Sequence, residues 1–331
     1  MVSSGATAGI AIACAIAGAA IASTIFLLLR RRRPNPAAST SSIISRLEGI
    51  RADTLKYLPE DLPHSQSRLE FGFMDLAIKD LVSKFFHDQP VPPGTVDAGK
   101  IDALVGNSSI NWTPNLCDPS NRKHALRGYI ARTLFHRTDL STSAVETNLL
   151  PVDIVRCYRP ALAGDHHRGT FLLSPSLFFF FFKAAHQLTP PGTPHILGLW
   201  RALTAHLLSK PYPTQAFPYA ELAAADRRIE NIRLLAAELA DALHPFRNDK
   251  SEERFVYALK RAVQQYAQLA WRLFAQRNPV EVAWPGAAAE RMVVYPALRQ
   301  RDLDTGVVGT VSEARYEEVK ACYGGWGELG G

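Results

Sequence analysis

The sequence predicts a mainly α protein: a single N-terminal transmembrane helix, then a helical body with an antiparallel helical hairpin over about residues 219–276 and a small C-terminal β-hairpin. Three observations predict it. An uncharged run from Gly5 to Leu29 meets Arg30, Arg31, Arg32 and Arg33; two stretches of the body repeat apolar residues every three or four positions; and after Asn278-Pro279 that period becomes two.

As a helix, the 25 residues Gly5 to Leu29 are long enough to cross a hydrocarbon layer about 30 Å thick. Nine large apolar residues, among them Ile10, Ile16, Phe26 and Leu29, favour insertion by roughly 3 to 5 kcal/mol together. A cleavable export signal carries its positive charge before the apolar run. Here Met1 to Ser4 have no basic side chain and the arginines follow, which predicts a permanent signal-anchor. By the positive-inside rule Arg30 to Arg33 stay cytosolic, so the N-terminus is expected outside and the body in the cytosol, on an endomembrane or the mitochondrial outer membrane. The lipid bilayer is thus an expected partner. The pairs Gly5/Gly9, Cys14/Gly18 and Gly18/Ala22 have the small-residue spacing of packed spans, compatible with a homodimer through this helix. Two acceptor sequons, Asn107-Ser108-Ser109 and Asn111-Trp112-Thr113, test the topology, since they gain sugar only in a lumen.

The expected domains are the anchor with its arginines at 1–33, a flexible linker at 34–42 (PNPAASTSS from Pro34), a mainly helical globular domain at 43–311, and a short helix with a disordered tail at 312–331. Within the body, Ile43 to Leu58 and Arg68 to His87 show helical periodicity, the second through Leu69, Phe73, Leu76, Ile78, Leu81, Val82, Phe85 and Phe86. Asp88 to Asn121, rich in Pro, Gly, Asn and Asp, is expected to be a long irregular segment. Arg122 to Thr138 resumes the helical pattern through Leu126, Ile130, Leu134 and Phe135. Ser174-Pro175 opens another helix, whose run Leu177 to Phe182 is too short to span a bilayer and is expected in a core; His195 to Leu208 adds one more.

The most regular periodicity lies in Leu222, Ala225, Ile229, Ile232, Ala236, Leu239 and Leu243, answered by Phe255, Leu259, Ala262, Tyr266, Leu269 and Leu273. The connection is short, with Asp249 and Glu252 spaced as a capping box, which predicts the helical hairpin. Val280, Val282 and Trp284 then alternate, and "MVVY" at 292–295 is expected to pair back on them. The stretches "LFAQRNPVEVAWPG" and "MVVYPALRQ" resemble a tail found in uncharacterised proteins of filamentous fungi, a resemblance confined to the last third that implies no activity.

Charge and motifs narrow the function. Of the net charge of +6, four units belong to Arg30 to Arg33, leaving +2 (6 − 4) for the rest; no basic stripe remains and no nucleic-acid partner is expected. Cys14, Cys117, Cys157 and Cys322 are scattered without zinc-ligand spacing, so neither metal nor cofactor is expected. GxSxG, GxxxxGK[ST] and HExxH are missing, and GxGxxG after a strand likewise, which places an enzymatic role second. The one polar cluster is "RCYRPALAGDHHRG". In its functional reading Asp165, His166 and His167 are the catalytic candidates, while Arg156, Arg159 and Arg168 would bind a phosphate or carboxylate. A metal there would need a partner such as His186, His195 or His206; otherwise the cluster is an exposed turn. The expected function is therefore a membrane-anchored helical interaction or adaptor protein with a protein partner. The alternative is an anchored enzyme that uses the Asp165–Arg168 turn on a lipid-linked or amphipathic substrate.

Overall fold

The computed structural model describes residues 61–92, 94–106, 110–140, 147–156, 193–213, 218–248, 252–285, 291–302 and 307–318. The chain divides into two compact units. The unit of 1–59 with 163–196 contributes only the start of one helix, 193–196, to the described residues; everything below belongs to the unit of 60–162 with 197–331.

Seven α-helices are described: α1 (His64–Phe85), α2 (Ala98–Val105), α3 (Trp112–Cys117), α4 (Arg122–His136), α5 (Thr193–Leu207), α6 (Arg228–Ala242) and α7 (Glu252–Phe274), with a 3-10 turn at His244–Phe246 and a helical turn at 152–156. The expected hairpin is present as α6 packed on α7, with α6 starting at Arg228 rather than near 219. Its facing stripes are buried, Ile232, Ala236 and Leu239 on α6 and Phe255, Leu259, Ala262, Tyr266, Leu269 and Leu273 on α7. Ala225, placed in the first stripe from sequence, is exposed in the segment before α6.

Helix α1 crosses the middle of the unit, touching α7, α4 and a strand. Phe71, Met74, Ile78, Leu81 and Val82 face that core, whereas Leu69, Phe73 and Leu76, expected in the same apolar face, are exposed. Helix α4 is buried around most of its circumference, Arg122 and Arg127 included, and is no one-sided amphipathic helix. The segment expected to be irregular holds α2 and α3. Asp97 caps α2 by accepting the Lys100 N–H at 3.1 Å, and fully buried Trp112 and Leu116 hold α3 against α4.

Five strands follow: β1 (Val280–Ala283), β2 (Arg291–Tyr295), β3 (Ala297–Arg301), β4 (Val308–Ser312) and β5 (Arg315–Glu318). They form two separate antiparallel sheets, β2 with β5 and β3 between β1 and β4, and the chain passes from one to the other at Pro296, which has no N–H to give. The sequence expectation is corrected here: β1 pairs with β3, Val280 opposite Gln300 and Ala283 opposite Ala297, not with 292–295. The reason is burial. Met292 to Tyr295 are all covered, β2 lies on α4, and its ladder partner is β5. Gly128 permits that approach, because a Cβ there would stand 3.1 Å from the Val293 carbonyl oxygen and 3.2 Å from the Trp112 ring. The short helix expected beyond 312 is likewise replaced, at 315–318, by strand.

Among the described residues no helix is long and apolar enough to cross a membrane. The two with sufficient length are charged: α1, 22 residues, carries Arg68, Glu70, Asp75, Lys79, Asp80 and Lys84, and α7, 23 residues, carries Glu252, Glu253, Arg254, Lys260, Arg261 and Arg272. This corrects the expected single-pass fold class, the signal-anchor reading, and the location with the N-terminus outside and the body cytosolic. Gly5 to Leu29 and Arg30 to Arg33 lie outside the described residues, as do the expected helices at 43–58 and 174–188, Asp249 of the capping box, Asn107, and the tail from 319.

Candidate functional site

The core is organised around Phe135 in the last turn of α4. Its ring lies 5.7 Å from Phe71 of α1, 4.9 Å from Tyr266 of α7, 5.7 Å from Tyr295 of β2 and 5.9 Å from Trp284 just after β1, centroid to centroid. Such tilted and edge-to-face contacts suit ring quadrupoles. The cluster does not close on one side. There a cavity of about 760 Å³ opens, walled by Phe135, Tyr266, Leu273, Phe274, Val282 and Trp284.

Its polar groups come from four segments. Arg132 and His136 project from the end of α4, Thr138 and Asp139 follow that helix, Arg201 comes from α5, and Glu281 from β1. Tyr266 is buried, which raises its phenol far above the ordinary range, with the Thr138 hydroxyl opposing that shift. The Thr138 hydroxyl lies 2.9 Å from the Phe135 carbonyl, to which it can donate, and 3.3 Å from the Tyr266 hydroxyl. Arg201 closes the C-terminal turn of α7, donating Nε to the Phe274 carbonyl at 2.9 Å and Nη2 to that of Leu273 at 3.2 Å, with its guanidinium 4.8 Å from the Phe274 ring. Burial chiefly, aided by Arg137 and Arg132 against Asp139, lowers the His136 imidazole below its usual 6.5, so the ring is neutral at pH 7.

Arg132 is different. Its guanidinium lies 4.9 Å from the centre of the Trp284 ring and makes no hydrogen bond or ion pair with any described residue. Burial lowers its pKa, and no acidic group acts against that shift. Of the two carboxylates at the cavity, Glu281 leans toward Arg301 at 3.7 Å, and Asp139 is exposed.

Gly106, the residue after α2, sets the position of His136. Its φ of +61° is a left-handed value, and a Cβ there would stand 2.6 Å from His136 Cε1. We expect Gly106→Ala to cost about 1–3 kcal/mol in urea unfolding and to shift the His136 ring resonances. A variant with unchanged stability and spectrum would remove this role.

None of the sequence candidates is among the described residues that line the cavity. Arg156 ends the helical turn at 152–156, exposed and outside the cavity wall. Arg159, Asp165, His166, His167 and Arg168 lie outside the described residues, as does His186. His206 is exposed near the end of α5, and among the described residues no group of three His, Cys, Asp or Glu could hold a metal ion. Sequence reasoning missed Arg132, Arg201, His136 and Trp284. The only signal was Arg132 three residues before Phe135 on one helix, which does not announce a site. Comparison of the chain with protein-family models, with curated proteins and with solved structures finds no match.

Proposed function

We propose that this chain is a binding module whose partner is a small, largely apolar molecule held in the cavity beside Phe135. One observation carries the reading: an aromatic cluster that fills the centre of the unit stays open on one side, leaving about 760 Å³ walled by ring and aliphatic carbons. That volume lies in the range of small-molecule sites, and the wall sets Arg132, His136, Thr138, Asp139, Arg201 and Glu281 among aromatic and aliphatic side chains. The reading keeps the interaction class expected from sequence and replaces an adaptor surface with a pocket. The enzymatic alternative rests on 165–168, and no observation here favours it.

The test is fluorescence titration of the full chain with 1-aminoanthracene, a neutral ring system that brightens in apolar cavities. One saturable site with a micromolar Kd is expected. Val282→Trp, in the half-buried strand at the cavity wall, should weaken binding at least tenfold with an unchanged unfolding midpoint. Failure of the unmodified chain to bind the probe sinks the reading.

A further inference from the structure

We infer that the molecule bound in this cavity carries a single anionic head group, a carboxylate on an apolar body, and that Arg132 on the face of Trp284 receives it. The inference rests on the pocket reading above and adds the chemical class of the ligand.

A guanidinium has five N–H groups, all in its plane, and no acceptor. Trp284, its ring centre 4.9 Å from the guanidinium carbon, offers that charge a π face but no hydrogen-bond acceptor. No described residue takes a hydrogen bond from the edge, although the side chain is half-buried and lines the cavity. A guanidinium fork of this kind presents two parallel donors, which match the two oxygens of a carboxylate.

The remaining charges decide how much anion the site accepts. Arg201 is engaged with the end of α7, His136 is neutral, and Asp139 and Glu281 contribute two negative charges at the cavity. Of the two guanidinium groups in the lining, Arg132 alone makes no hydrogen bond or ion pair with a described residue, so the site offers one set of free donors and fits one carboxylate. A nucleotide or other polyanion is thereby disfavoured. The aromatic wall in turn excludes a small hydrophilic acid, which would leave those carbons uncovered. A fatty or aromatic monocarboxylate satisfies both requirements.

Displacement of 1-aminoanthracene from the full chain tests this, with decanoate, decanol and decyl phosphate compared below their micelle concentrations at pH 7.5. Decanoate is expected to displace the probe at least tenfold more effectively than decanol, with decyl phosphate behind decanoate. In Arg132→Gln the preference for decanoate over decanol should fall below twofold. Equal displacement by decanoate and decanol in the unmodified chain overturns the inference and leaves the pocket reading standing. So does a preference that survives in Arg132→Gln, or decyl phosphate displacing best. If Arg132→Gln does not fold, the decanoate-to-decanol ratio of the unmodified chain decides alone. A chain that does not bind the probe overturns the pocket reading and this inference together.

Discussion

Replacing Asp75 by alanine is expected to destabilise the protein by about 3–5 kcal/mol, the loss that follows when one member of a buried ion-pair set is removed. Asp75 sits on α1 with no exposed surface and receives two guanidinium groups, Arg127 Nη2 from α4 at 3.2 Å and Arg315 Nη1 from β5. Arg127, itself buried, also holds Glu317 of β5 at 2.6 Å. One carboxylate thus joins a helix to the last described strand through its neighbour helix, over separations of 52 and 240 residues. Without it, Arg127 keeps a buried charge with a single partner, and Nε of the same group already lacks a hydrogen bond. Urea unfolding of Asp75→Ala measures the effect, and a loss below about 1 kcal/mol would contradict this account. The joint variant Asp75→Leu/Arg127→Met should recover much of the loss, because exchanging a whole buried pair for packed carbon is often neutral.

The second large effect is expected at Arg122, the first residue of α4. It is fully buried and has no carboxylate partner among the described residues, but its guanidinium donates to four backbone carbonyls. Nε reaches Leu116 at 2.7 Å, Nη2 reaches Cys117 at 2.9 Å, and Nη1 serves both His87 and Gln89, with the Phe246 ring centre 5.4 Å away. The residue therefore terminates α3 and fixes the chain leaving α1. Arg122→Met leaves four oriented oxygens without donors, and the expected loss is about 3–5 kcal/mol. Arg122→Lys should lose nearly as much, since one ammonium cannot span four acceptors set for a planar fork. Hydrogen exchange offers the sharper readout: amides of 86–92 should lose protection beyond the global change. Uniform loss of protection across the chain would contradict the local role.

Some of this architecture was legible because the physics is local. The α6/α7 pair was readable from stripes such as Phe255, Leu259, Ala262 and Tyr266, since a period of three and four residues directs one face of any helix toward a core. The length and position of α4 followed from Leu126, Ile130 and Leu134 in the same way, but its burial on the remaining sides did not. Helices α2 and α3 were hidden by their Pro, Gly and Asn content. They are held by a cap at Asp97 and by the burial of Trp112, and neither leaves a long repeat. Pairing in the β region was misassigned because alternation specifies which residues form a strand and says little about which edge it meets.

By itself, then, the sequence determined that the body is mainly helical, that α6 and α7 form a hairpin, and that strands follow Pro279. Tertiary structure alone decided the register of β1 on β3, the burial of Asp75 and Arg122 among their partners, and the cavity. Periodicity is a property of neighbours along the chain, whereas a site made by Arg132, Arg201 and Trp284 exists only when three distant segments pack around Phe135 and fail to fill the space beside it.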